Sequence, residues 1–135
     1  MLALTREEIC TFVEKSILDK QYNDELSFPI SCITIERVKK KLYLNLEGYM
    51  GIISSHSVRH VHKGHATDIE YICEILDILE TFFTVEKSVT RDHKTGVSLV
   101  SLEFYKKYNS DTVKLVKLKI HREKRLELKT LFVKD

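Results

Sequence analysis

Four of the six histidines, His56, His60, His62 and His65, fall within ten residues of chain. An imidazole titrates near neutral pH, so such a group suits proton transfer or metal binding. His56 and His60 stand four residues apart and share a face if the segment is helical, a spacing that could hold one metal ion or one phosphate. No glutamate follows His56 as it does in a zinc-protease helix, and no cluster of carboxylates or cysteines adjoins the histidines. Neither a metal nor another cofactor is therefore expected. A solvated polar helix face accounts for His56 and His62 without further function. His60 and His65 lie nearer the C-terminal end of the segment, where the helix dipole favours the charged imidazolium, and Lys63 stands between them. Metal-free RNA cleavage needs a base for the 2′-hydroxyl, an acid for the leaving 5′-oxygen and cations for the phosphorane-like transition state. Two histidines with lysine and arginine supply all three.

Positioning these residues falls to the surrounding elements. Thr5 and Glu8 stand in the capping-box relation, and Ile9, Phe12, Val13 and Ile17 recur at helical spacing, so residues 5–20 form an amphipathic helix. Residues 21–29 are polar, end in the only proline and read as a connection. Residues 30–46 are ambiguous: Ile33, Ile35, Leu42, Leu44 and Leu46 alternate like a strand, while residues 34–42 also suit a short helix through Val38, which is preferred. Ser54 or Ser55 caps a third helix that carries the histidines and stops at Gly64. A fourth helix spans residues 66–83, with Ile69, Ile72, Cys73, Leu76 and Leu79 on one stripe and Thr67 or Asp68 as its cap.

Beyond residue 83 the hydrophobic period changes to two. Residues 84–89, 97–105, 113–120 and 126–133 read as strands separated by turn signals. The fold class is thus α+β, with N-terminal helices packed on a C-terminal four-stranded antiparallel sheet. Phe82, Phe83, Phe104 and Phe132 read as core. Thr130 shares a strand face with Leu126, Leu128 and Phe132, which would also place it in the core. Tyr105 and Tyr108 alternate with Lys106 and Lys107, a pattern that fits either a base-stacking surface or an ordinary exposed edge.

A chain of 135 residues, 43% of them hydrophobic, fills one domain. Residues 1–53 would be an N-terminal helical extension and 54–135 the core that carries the site. Lysine and arginine exceed aspartate and glutamate by only 22 to 20, so net charge alone names no partner. The final third is different: residues 106–134 hold ten lysines and arginines against three acids, a basic face suited to phosphate. Cys10, Cys32 and Cys73 show no metal-ligand spacing and read as buried small hydrophobes, as in a reducing, cytoplasmic compartment. No apolar run reaches the roughly 20 residues of a membrane-spanning helix, and no membrane partner is expected.

The segments Leu46 to Met50 (LEGYM), Ser54 to His60 (SSHSVRH) and Val61 to His65 (VHKGH) together resemble a block found in the phage-associated branch of the barnase, EndoU, colicin and RelE-like nucleases. Asp68 to Ile78, Ser101 to Lys107 (SLEFYKK) and Leu126 to Thr130 (LELKT) are similar to later segments of that superfamily. Two departures stand out: Leu115 to Leu118 replace an acidic residue and valine, and Ala66 replaces glycine. The resemblance implies that His60, His65 and Lys63 flank a catalytic cleft with Arg122 and Thr130 contributed by the sheet. Tyr105, Lys106, Lys107 and Lys124 would contact RNA. The activity implied is a metal-independent endoribonuclease, toxin-type or phage-encoded, that cleaves tRNA or other structured RNA by 2′-hydroxyl attack. A cognate immunity protein or antitoxin would be its partner. The alternative is a non-catalytic nucleic-acid- or protein-binding phage accessory domain on the same fold.

Overall fold

The structure, a computed structural model, describes residues 4–120 and 123–134. The first helix, α1 (Arg6–Leu18), opens on a reciprocal cap: Thr5 Oγ1 accepts the Glu8 N–H at 3.2 Å and Glu8 Oε1 accepts the Thr5 N–H at 3.1 Å. It buries Ile9, Phe12 and Val13. Next come strand β1 (Glu25–Pro29) and helix α2 (Cys32–Leu42), the latter capped by the Ser31 hydroxyl and ended by Tyr43 in the left-handed region at φ 58°. Strand β2 (Met50–Ser54) leads directly into α3 (Ser55–Gly64), whose cap is Ser54. A 3₁₀ segment (Ala66–Glu74), α4 (Ile75–Thr81) and strands β3 (Thr84–Arg91), β4 (Ser98–Tyr108), β5 (Asp111–Ile120) and β6 (Arg125–Lys134) complete the order.

The sheet is mixed and has six strands, in the order β1-β2-β6-β5-β4-β3. The expected four-stranded antiparallel sheet is corrected by two strands drawn from the first 54 residues. Glu25–Pro29 reads as a connection in the sequence because a five-residue strand ending in proline offers little alternation; the proline ends an edge strand, where a missing N–H is tolerated. All neighbours pair antiparallel except β2 and β6, which run parallel. Phe28 lies over Gly51 so closely that a Cβ there would overlap its ring.

The single helix expected over residues 66–83 is also corrected. Ile69, Ile72, Ile75 and Ile78 recur every three residues, the spacing that a 3₁₀ helix eclipses onto one side, and the last three are fully buried. Asp68 does not cap this segment. Its Oδ2 instead accepts the Val133 N–H at 3.0 Å, tying the segment to the free edge of β6. Packing of α1 against the same segment brings Cys10 and Cys73 together as a disulfide, with Cα atoms 5.1 Å apart, while Cys32 is exposed. The reading of three unpaired, buried cysteines is corrected accordingly.

The core lies between the helices and one face of the sheet, where Val85, Leu102, Phe104, Val113, Leu115 and Leu131 meet Ile9, Val58, Ile72 and Ile78. Among the described residues one charged side chain is fully buried there: Lys117. Its Nζ donates to the Ile52 carbonyl at 3.4 Å and lies 5.4 Å from the Phe28 ring centroid. Burial lowers its pKa to about 7, with Glu127 opposing the shift.

Candidate nucleic-acid interface

A break in the alternation of β6 creates the site. Val116 pairs with Thr130 but Lys117 pairs with Leu128, so Lys129 is an extra residue in the strand, a β-bulge. Before it Leu126 and Leu128 face the core. After it Leu131 does, and Thr130, Phe132 and Lys134 turn to the opposite, open face. Uninterrupted alternation groups Thr130 and Phe132 with the core leucines; the bulge reverses that placement, and Phe132 is only partly buried.

Strand register then builds one row across the open face. Thr84 pairs with Tyr105, Tyr105 with Lys114 and Lys114 with Phe132. Three strand spacings make this row roughly 14 Å long. A second row beside it holds Lys107, Thr112 and Lys134. The Lys114 Nζ lies 5.6 Å from the Phe132 centroid and 5.8 Å from that of Tyr105, and the Lys134 Nζ lies 5.3 Å from Tyr105. Glu103 steadies the row: it pairs with Lys114 at 3.5 Å and accepts from the Tyr105 hydroxyl at 3.2 Å. Burial is the main cause that raises the Tyr105 pKa, so the phenol stays a neutral donor. Among the described residues neither Lys107 nor Lys134 forms an ion pair.

His65 closes one end of the row. It is the C-cap of α3, its N–H bonded to the Val61 carbonyl, and its ring stacks on Phe132 with centroids 4.9 Å apart. Beside this pair a cleft of about 570 Å³ is lined by His65, Thr67, Asp68, Asp111, Phe132 and Lys134. Thr130 is one strand repeat, roughly 7 Å, from Phe132 on the same face.

The other expected residues are distributed elsewhere. Because α3 buries Ser55, Val58 and Val61, the exposed His56, His60 and Lys63 occupy its solvent side. His60 therefore points away from the sheet that His65 touches. Lys106 lies on the helix side of β4, its Nζ 5.8 Å from the Tyr108 centroid, so only Lys107 of that pair reaches the open face. Lys124 sits in the turn before β6, eight residues and roughly 26 Å of strand from Phe132. Its Nζ lies 5.5 Å from the Tyr49 ring. Arg122 lies outside the described residues. Tyr108 is structural: its hydroxyl donates to Asp77 and burial raises its pKa.

Sequence reasoning missed Lys114, Phe132 and Lys134. The signal available was the group of lysines at positions 114, 117 and 119 of β5 and 134 of β6, but without the register they could not be assigned to a face. Arg59, part of the motif around His60, is a clamp rather than an RNA contact. Its guanidinium donates to the carbonyls of Ser16 and Tyr22 at 2.9 and 3.0 Å and to Asn23 Oδ1 at 2.9 Å.

Chemically, the row offers aromatic faces and cations, the combination that binds single-stranded nucleic acid by stacking and charge. One imidazole adjoins it, able to take or give a single proton. Among the described residues no three histidine, cysteine, aspartate or glutamate side chains are arranged to hold a metal ion, and no helix is long and apolar enough to cross a membrane. Comparison with protein-family models, with curated proteins and with solved structures finds no match.

Proposed function

We propose that the protein binds single-stranded RNA, or an unpaired segment of a structured RNA such as tRNA, across the open face of its sheet. The observation that carries this reading is the register row Tyr105, Lys114 and Phe132, flanked by Lys107 and Lys134. Bases stack on Tyr105 and Phe132, while Lys114 within the row and Lys107 and Lys134 beside it meet the phosphates. A cytoplasmic site of action belongs to this reading. Fluorescence anisotropy with a labelled single-stranded 12-mer tests it. Tyr105→Ala and Phe132→Ala should each weaken binding roughly five- to a hundredfold, the equivalent of the roughly 1–3 kcal/mol that a stacked base contributes. Absence of binding by the unaltered chain at low salt would reject it.

A second reading, a metal-independent endoribonuclease acting by 2′-hydroxyl attack, is favoured by the position of His65 at the end of the row. A phosphate beside a base stacked on Phe132 would meet the imidazole and Lys134 together. Production of 2′,3′-cyclic phosphate ends in the presence of EDTA would support it, and intact RNA under the same conditions would leave a binding domain with no cleavage.

A further inference from the structure

At the other end of the row a cleft of about 320 Å³ opens between α2 and β3, lined by Arg37, Lys40, Lys41, Phe82, Phe83 and Thr84. The Arg37 guanidinium carbon lies over Phe82, 3.9 Å from its centroid, and Phe82 is itself only 2% exposed. That contact holds the guanidinium at the ring and leaves N–H groups for a ligand. Among the described residues neither Arg37 nor Lys40 forms an ion pair, while Lys41 is held by Thr84 at 3.2 Å and Glu86 at 3.8 Å. The C-terminal end of α2 carries roughly half a negative charge. Arg37 and Lys40, neither of them ion-paired among the described residues, exceed that charge, so the cleft is electropositive.

Phe83 links this cleft to the row. It is 53% exposed, an uncovered aromatic face beside a group of cations. Its ring is 6.3 Å from that of Tyr105, and the Lys107 Nζ is 5.9 Å from its centroid. Sequence reading places Phe83 in the core with its neighbour Phe82. The start of β3 turns them to opposite sides, and Phe82 takes the core position alone.

We infer that the cleft is a nucleotide subsite, with a phosphate held by Arg37 and Lys40 and the attached base stacked on Phe83. Its ligand class is a nucleoside monophosphate, either free or as one unit of a strand. The strand form alone rests on the RNA-binding reading above, where it is the β3 end of the path whose other end is His65.

Amide chemical shifts of the ¹⁵N-labelled full chain read this site directly. Titration with AMP should move resonances of Arg37 to Lys41 and of Phe82 to Val85, and adenosine at equal concentration should act at least tenfold more weakly. Arg37→Ala/Lys40→Ala should lose about tenfold in AMP affinity with its thermal midpoint unchanged, and Phe83→Ala should lose a similar amount for AMP but nothing for inorganic phosphate. Equal effects of AMP and adenosine, or no shifts in these two segments, would overturn the assignment. Phe132→Ala, at the far end of the row, should leave the AMP titration unaltered, so a failure of the row and a failure of the cleft are told apart. A tenfold loss of 12-mer affinity in the Arg37/Lys40 variant marks the strand as the source of the nucleotide. Unchanged 12-mer affinity in that variant, with AMP bound by the unaltered chain, marks the free nucleotide.

Discussion

His65 and Phe132 stack with their ring planes 21° from parallel, joining the C-cap of α3 to the open face of β6. Of the four clustered histidines, it is the one whose ring is fixed against the sheet. His65→Ala should therefore weaken RNA binding several-fold and, if cleavage is detected, lower it by about a hundredfold, the usual loss for a general acid or base. His60→Ala should change neither, because His60 occupies the solvent side of the helix. Anisotropy and denaturing gels read both quantities, and a large effect of His60→Ala alone would reverse the assignment.

Lys117 links stability to pH. Its folded-state pKa of about 7 lies below the ordinary value of 10.5, so between these limits the unfolded chain binds more protons and stability rises with pH. Below about pH 7 the amine is charged in both states and its desolvation cost, on the order of a few kcal/mol, is fully present. Lys117→Met should raise the thermal midpoint at neutral pH and flatten its increase between about pH 7 and 10. A variant with an unchanged slope would show that the amine finds compensation in the fold.

Gly51→Ala tests the contact under Phe28. The added methyl group overlaps a ring that is 3% exposed and cannot move outward without leaving the core. Destabilisation of about 1–3 kcal/mol is expected, as for overpacking in general. Gly51→Ala/Phe28→Leu should recover part of it in chemical denaturation, and no recovery would place the strain elsewhere.

Arg59→Ala removes three hydrogen bonds that hold the chain after α1 against α3. Loss of about 2–4 kcal/mol follows from leaving partly buried carbonyls without a donor. RNA affinity per folded molecule should not change, which separates this arginine from the interface.

Much of the fold was legible where local chemistry decides it. The Thr5–Glu8 cap, the Ser54 cap before the histidines and the alternation of β4 all state their structure within a few residues. What escaped depended on distant partners. Glu25–Pro29 becomes a strand only because Met50–Ser54 lies beside it, and residues 66–74 become a 3₁₀ segment with Asp68 bound to Val133. The site itself escaped for a smaller reason. A single unpaired residue, Lys129, exchanges the faces of everything after it, and period-two reading has no means of detecting one extra residue in a strand rich in leucine.

The parallel pairing of β2 with β6 has a consequence in time as well as in space. Among the described residues β6 is the strand that joins β1 and β2 to the rest of the sheet, with Gly51 meeting Leu126 on one side and Leu115 meeting Leu131 on the other. On the ribosome, therefore, β1 and β2 wait for β6 to be synthesised before their ladder to the rest can form, and such long-range closure is slow. A nascent chain arrested after Ile120 should leave Met50 to Ile52 open to hydrogen exchange, and extension through Lys134 should protect them in one step. The row across the open face is thus completed at its His65 end only once β6 has formed.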